Sequence, residues 1–312
     1  MSVDLFFVSL GTAILAATPI LIAATGELFA ERVGVYNLGI EGAMLIGALT
    51  AVIATNATDS AILGCLAAIA VGALASLSFG VAVVYLSADM VVAGLALTFL
   101  GIGLTGTFGA DYVREPAAVG IPEWDIPLLS QIPYFGDALF DHLALTYLAF
   151  ALPLGAWFIL FRTRHGLNMR AIGENPAAAD VSGISVNGWR LFYVGVGGGF
   201  AGLGGAFLSL GTVGTWLNQM TAGLGWIALA VVIFANWRPL RLIGGALLFG
   251  ALGTIGNVGQ ALGWRVSSEV FSALPYLGTI LVLVALAWLN SLRAGRPPWP
   301  AALGLPFVRG ES

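Results

Sequence analysis

Long apolar runs separated by short polar turns set the pattern of this chain. Nine segments are apolar over a length that reads as a bilayer-crossing helix, roughly 18 residues or more. They cover 5–26, 35–55, 61–87, 90–109, 143–161, 191–212, 217–236, 242–261 and 271–290. The stretch 191–237 has no Asp, Glu, Lys or Arg and is rich in glycine, so it can conceal a broken or re-entrant element. The expectation is an all-α polytopic membrane protein, a bundle of about 9 (8–10) transmembrane helices. The polar stretches reach only about 30 residues, too short for a separate soluble core. One transmembrane domain over 1–312 is therefore expected.

Composition agrees with that reading. Hydrophobic residues make up 59% and charged residues 9%, against about 25% charged in soluble domains. The single Cys65 lies inside an apolar run, which excludes a disulfide framework and a cysteine metal site. The first residues carry Asp4 in place of a positive region, so they read as a retained first span rather than a cleaved signal.

All twelve basic residues are arginines, and their positions set an orientation. Lys and Arg are enriched in short cytoplasmic loops. With nine spans and the amino terminus outside, ten arginines fall on one side, and only Arg114 and Arg265 fall on the other. The carboxyl terminus is then cytoplasmic. The loop 110–141 is external, with four prolines, Trp124, Tyr134, Phe135 and six carboxylates. Its prolines prevent a long helix, leaving a solvated connector or a docking surface for an external partner.

Small residues recur at helical spacing. Gly195, Gly199 and Leu203 form one stripe, and Gly198, Gly202 and Ala206 another. Such stripes let helices approach closely in lipid.

The sequence holds no nucleotide-binding loop, nucleophile elbow or metal-ligand cluster. His142 and His165 stand at span ends, the latter as a solvated loop residue. Glu27, Glu31 and Arg32 are expected to form a cytoplasmic turn, with Arg32 pairing locally. Glu41, between Gly39 and Gly42, either faces the bundle interior or snorkels from a helix end. The candidate pathway residues are Asn37, Glu41, Thr98, Asn218, Gln219, Trp226 and Asn257. The uncharged ones can line a polar route or join helices by hydrogen bonds.

The segment 162–190, RTRHGLNMRAIGENPAAADVSGISVNGWR, must lie in water, where it can meet a soluble partner. Asn175 suits an N-cap, with Pro176 at the first helical position and Gly183 placed to end the helix. A short cytoplasmic helix is expected there, with Arg162, Arg164 and Arg170 before it. The alternative is a plain positive-inside connector.

Four ordered blocks carry a resemblance. They are ELFAERVGVYNLGIEGAMLIGA, ADMVVAGLALTFLGIGLT, HGLNMRAIGENPAAADVSGI and GLGWIALAVVIFANWRPLRLIGGALLFGAL. Together they resemble permease subunits of bacterial ATP-binding-cassette importers in the branched-chain amino acid and simple-sugar group. The chain looks closest to the shorter permease of nucleoside-type systems. The resemblance implies that this chain is not itself an enzyme and binds no cofactor, with ATP and Mg held by a partner ATPase. It implies that the chain lies in the bacterial cytoplasmic (inner) membrane and has three protein partners: that cytoplasmic ATPase, a second permease forming a heterodimer, and a substrate-binding lipoprotein or periplasmic protein. No nucleic-acid partner is expected.

The resemblance also marks a coupling helix, with Arg170, Gly173, Glu174, Asn175, Pro176, Ala177, Asp180 and Gly183 meeting the ATPase. Substituting Gly173 or Glu174 is expected to uncouple transport without unfolding the chain. Three positions depart from the family pattern. Ala177 stands where a glutamate is expected, Thr98 where an asparagine is expected, and Asn236 where a glycine is expected before Trp237. Other readings are a simple-sugar or branched-chain amino acid permease, an ion-coupled secondary transporter using Glu41 and Asp89, and a membrane scaffold.

Overall fold

A computed structural model describes residues 3–125, 127, 130, 132–133, 135–262, 264, 267–291 and 299–309. The chain is mostly helical. In order, its long helices are α1 (Val3–Arg32), α2 (Ile40–Thr58), α3 (Ala61–Tyr85) and α4 (Met90–Phe108). Within the loop 110–141 lie β1 (Glu123–Asp125), the short α5 (Phe135–Leu139) and β2 (Asp141–Leu143), with β1 and β2 paired antiparallel. Then come α6 (Ala144–Arg162), α7 (Arg164–Glu174), α8 (Pro176–Val181) and α9 (Val186–Ala206). The chain closes with α10 (Leu224–Phe234), α11 (Pro239–Ala261) and α12 (Ser268–Ser291).

Local chemistry fixes several of these starts. The Ser60 hydroxyl accepts the Leu63 N–H at 3.4 Å to open α3, and Asp89 accepts the Val92 N–H at 2.9 Å to open α4. Each satisfies a backbone donor that the helix itself leaves free.

Among the described residues, seven helices are long and apolar enough to cross a membrane: α1, α2, α3, α4, α6, α9 and α11. The chain is a multi-pass helical membrane protein. The expectation of about nine spanning helices departs from the structure at 217–236. There α10 has only 11 residues, about 16 Å of helix against a hydrocarbon core of about 30 Å. The cause is local. Gln219, Ala222 and Gly223 all have positive φ, so no helix can run through them.

Helix α9 is the centre of the bundle, enclosed by α1, α2 and α3. Its glycines make that possible. A Cβ at Gly202 would sit 2.1 Å from the Ala68 carbonyl of α3, and one at Gly205 would sit 2.0 Å from the Met44 carbonyl of α2. The Gly198, Gly202, Ala206 stripe is thus a packing seam. After Ala206 the helix loosens into a π turn, Phe207–Thr212.

The two ends of the bundle differ. At one end the loop 110–141 meets the exit from α9, through bridges Val113↔Trp216 and Pro116↔Thr215. At the other, the end of α1 meets α7 and Trp237. Residues 213–234 therefore traverse the bundle, the first part as irregular chain and the second as α10.

Candidate functional site

Two helix beginnings meet inside the bundle. After Arg32 the chain folds back along α1, and Asn37 donates its backbone N–H to Glu27 Oε1 at 2.7 Å. Helix α2 then starts deep in the bundle, beside the middle of α4. The Leu38 carbonyl marks this depth, accepting the Thr98 hydroxyl of α4 at 3.1 Å and the Trp226 indole N–H of α10 at 3.1 Å. Asn37 Oδ1 accepts the Gly39 N–H at 2.8 Å, and its amide reaches Ser76 of α3 at 3.3 Å.

Glu41 joins the two helix starts. It lies in the first turn of α2, where an acidic residue suits the positive end of the helix dipole. Its Oε1 accepts the Thr221 hydroxyl at 2.5 Å and the Gly223 N–H at 2.9 Å, and Oε2 accepts the Gly225 N–H at 2.8 Å. Glu41 is 5% exposed. The carboxylate therefore caps α10 from another helix, and the left-handed Gly223 (φ +84) turns its N–H towards it. The two readings of Glu41 merge: it is a helix-end residue and it faces the interior.

Four of the seven pathway candidates thus converge: Asn37, Glu41, Thr98 and Trp226. Asn37 and Thr98 are buried and hydrogen-bonded, acting as interhelical joints. Asn218 and Gln219 stand exposed on the irregular segment before α10. Asn257 belongs to α11, and its side chain lies outside the described residues. Sequence reasoning passed over Thr221, Gly223 and Gly225. The Gly-Leu-Gly run before Trp226 was the available signal.

The polar turn expected at Glu27, Glu31 and Arg32 is not a solvated turn. All three belong to α1, and both glutamates are 1% exposed. Glu31 takes the indole N–H of Trp237, and Arg32 donates to the Trp237 carbonyl instead of pairing with a neighbouring carboxylate. The chain turns back on itself here, so these side chains face its return path. His165 is exposed, as expected, but it is helical and not in a loop. It sits on α7 against Trp189 (ring centroids 4.4 Å apart), with the Tyr193 hydroxyl as hydrogen-bond partner.

The segment 162–190 folds as two short helices, α7 and α8, followed by the start of α9. Thr163 caps α7 by accepting the Gly166 N–H at 3.1 Å. Asn175 caps α8 by accepting the Ala178 N–H at 3.0 Å, with Pro176 next. Gly183 ends α8 at φ +84, and the Gly183 and Ile184 N–H groups return to Asp180 and Ala179 carbonyls. Glu174, Asn175, Ala177 and Gly183 are exposed, and Val181 at the tip is 90% exposed. Arg170 is turned inward, its guanidinium 5.2 Å from the Phe161 ring centre.

Gly173 differs from its exposed neighbours. It is buried, and a Cβ on it would lie 2.3 Å from the Arg32 carbonyl. The expectation that Gly173 can be replaced without harm to folding is therefore corrected. The segment 299–309 lies over the same corner. Ala302 N–H donates to the Gly173 carbonyl at 2.8 Å, and Arg309 pairs with Asp180 at 3.1 Å. Arg190, 2% exposed, holds the Val33 carbonyl at 3.0 Å and the Leu305 carbonyl at 2.9 Å.

A multi-pass helical bundle in which two helix N-termini meet at an interior break has the architecture of a membrane transport protein. The chain belongs to the family described as branched-chain amino acid transport system / permease component, which it matches over residues 9–285. It is 34% identical to the guanosine ABC transporter permease of Bacillus subtilis, covering 95% of this chain and 94% of that one. It is 33% identical to the nucleoside ABC transporter permease of Lactococcus lactis, covering 95% of each. A Haloferax volcanii ABC transporter permease, assigned provisionally to glucose, is 38% identical over 88% of this chain and 90% of its own. The chain is thus a permease component of ABC transport systems, a transport subunit rather than an enzyme.

Proposed function

We propose that this chain is one membrane subunit of an ATP-driven importer and forms part of the pathway for a nucleoside. The carrying observation is the interior break at 213–223. It exposes the amides of Asn218 and Gln219 but no charge, which suits an uncharged polar solute. Full-length similarity to the guanosine and nucleoside permeases supports the same substrate class.

In this reading the segment 162–190 is cytoplasmic and couples to an ATPase subunit that holds ATP and Mg. Its exposed contacts are Glu174, Asn175, Ala177 and Gly183, beside the half-buried Pro176, with Val181 at the tip. Nine crossings result when α12 and the combined stretch 213–234 are counted with the seven long helices. The carboxyl terminus is then cytoplasmic and the loop 110–141 external, where a substrate-binding lipoprotein or periplasmic protein delivers solute. A second, different permease completes the pathway. The similarity of this chain to two guanosine permeases of one organism, at 34% and 25% identity, supports a heterodimer.

The test is reconstitution with the ATPase, the second permease and the binding protein in proteoliposomes. ATP-dependent guanosine uptake is expected. Uptake by this chain alone without ATP would overturn the reading in favour of an ion-coupled carrier. A sugar substrate is the second reading, favoured by the 38% identical Haloferax relative. Glucose uptake in the same proteoliposomes separates the two.

A further inference from the structure

Two aromatic rings reach the same backbone position. A Cβ placed on Gly223 would lie 3.5 Å from Cε1 of Tyr276 and 3.7 Å from Cε3 of Trp226. Each ring is tethered by its polar tip. The Trp226 indole N–H donates to the Leu38 carbonyl at 3.1 Å, and the Tyr276 hydroxyl donates to the Ala222 carbonyl at 2.7 Å. The ring bodies remain uncovered: Trp226 is 42% exposed and Tyr276 49%. An aromatic side chain held this way has a fixed orientation and a free π face.

The surroundings narrow what can occupy that face. Irregular backbone at membrane depth is stable only where it lines water or is covered by protein. The segment carrying Ala222 and Gly223 also exposes Asn218 and Gln219, and no charged residue occurs in 191–237. The carboxylate packed against it, Glu41, is 5% exposed and already holds three donors, so a charged ligand would find no free counter-charge there. A flat, uncharged solute with hydrogen-bonding edges would find ring faces and amides together.

We infer that Trp226 and Tyr276 form a stacking site for the planar base of the transported solute. The inference rests on the nucleoside reading above and adds the residues that set its specificity. Trp226 has two separable duties: its nitrogen positions α10 against Leu38, and its ring binds the base. A side chain on Gly223 would press on both residues, its Cβ lying 3.0 Å from the Tyr276 hydroxyl and 3.7 Å from the Trp226 ring.

The experiment uses the assembled transporter in proteoliposomes with guanosine and glucose as probes. The variants are Trp226→Leu, Trp226→Phe and Tyr276→Leu, and co-purification with the partner subunits checks assembly. Both Leu variants should raise the guanosine KM about tenfold, the scale of one lost base–aromatic stack, with a smaller change in kcat. Trp226→Phe, which loses the tether but keeps a ring, should recover most of the affinity. If the wild type imports guanosine but Phe is as damaging as Leu, or KM does not move, the stacking site is wrong and the nucleoside reading stands. If the wild type imports glucose and not guanosine, both fail.

Discussion

Glu41 Oε2 accepts the Gly225 N–H at 2.8 Å, so the first turn of α2 caps the start of a helix across 184 positions of chain. The same carboxylate takes two further donors from Thr221 and Gly223. Without it, the start of α10 would hold unpaired N–H groups in a buried place. Glu41→Gln keeps one acceptor oxygen but turns an NH2 group towards a donor, and should cost about 1–3 kcal/mol of stability. Glu41→Ala strands all three donors and should be worse. Thermal melting of the purified protein in detergent tests the order. A Gln variant as stable as the wild type would remove Glu41 as the pin.

Gly173 and Glu174 are neighbours in sequence and opposites in environment. A Cβ on Gly173 would strike the Arg32 carbonyl, whereas Glu174 is exposed. Gly173→Ala should lower thermal stability by about 1–3 kcal/mol through overpacking. Glu174→Ala should melt like the wild type but weaken the link between ATP hydrolysis and uptake. Melting curves and coupled uptake, measured on both variants, must separate them. Identical behaviour of the two would contradict the buried placement of Gly173.

Arg190 fastens three parts of the chain at once. Its guanidinium binds the Val33 carbonyl, just past the negative end of the α1 dipole, and the Leu305 carbonyl of the segment 299–309. Arg190→Met preserves the apolar stem and removes both donors, leaving each carbonyl short by about 1–3 kcal/mol. The segment 299–309 should then be cut faster in limited proteolysis, with the sites read by mass spectrometry. Unchanged cleavage would show that Ala302 and Arg309 hold the segment without Arg190.

Much of the bundle was legible because its signals are local. Charge-free length gave the helices, and the Asn175–Pro176 and Gly183 chemistry gave both ends of α8. The stripe Gly198, Gly202, Ala206 gave a packing seam. What stayed hidden depends on direction and distance. The run 217–236 is apolar enough to span, and only the backbone angles at Gln219, Ala222 and Gly223 show that half of it is not helix. Glu27 and Glu31 read as a wet turn because counting charges does not tell which way they point. Helix α7 was missed because its arginines suggested a loop, although Thr163 stood ready as its cap. The convergence on Leu38 could not be read at all, since a backbone carbonyl leaves no mark in a sequence pattern.

Asn236, where the resemblance led to an expectation of glycine, has a physical account. Its φ is +51 and that of Trp237 is +54, so the chain makes a left-handed corner between α10 and α11. Glycine enters this region freely, and asparagine enters it more readily than other side chains. The corner is held from outside, since Glu31 takes the Trp237 indole N–H and Arg32 binds the Trp237 carbonyl. Asn236→Gly should therefore lie close to the wild type, its relief of strain offset by the greater freedom of the unfolded chain. Asn236→Ala should lose about 1 kcal/mol, and Asn236→Val more, because a β-branched side chain crowds the left-handed conformation. Melting temperatures should rank Gly and Asn together, then Ala, then Val. A Val variant as stable as Asn would show that the corner is not left-handed in the folded protein.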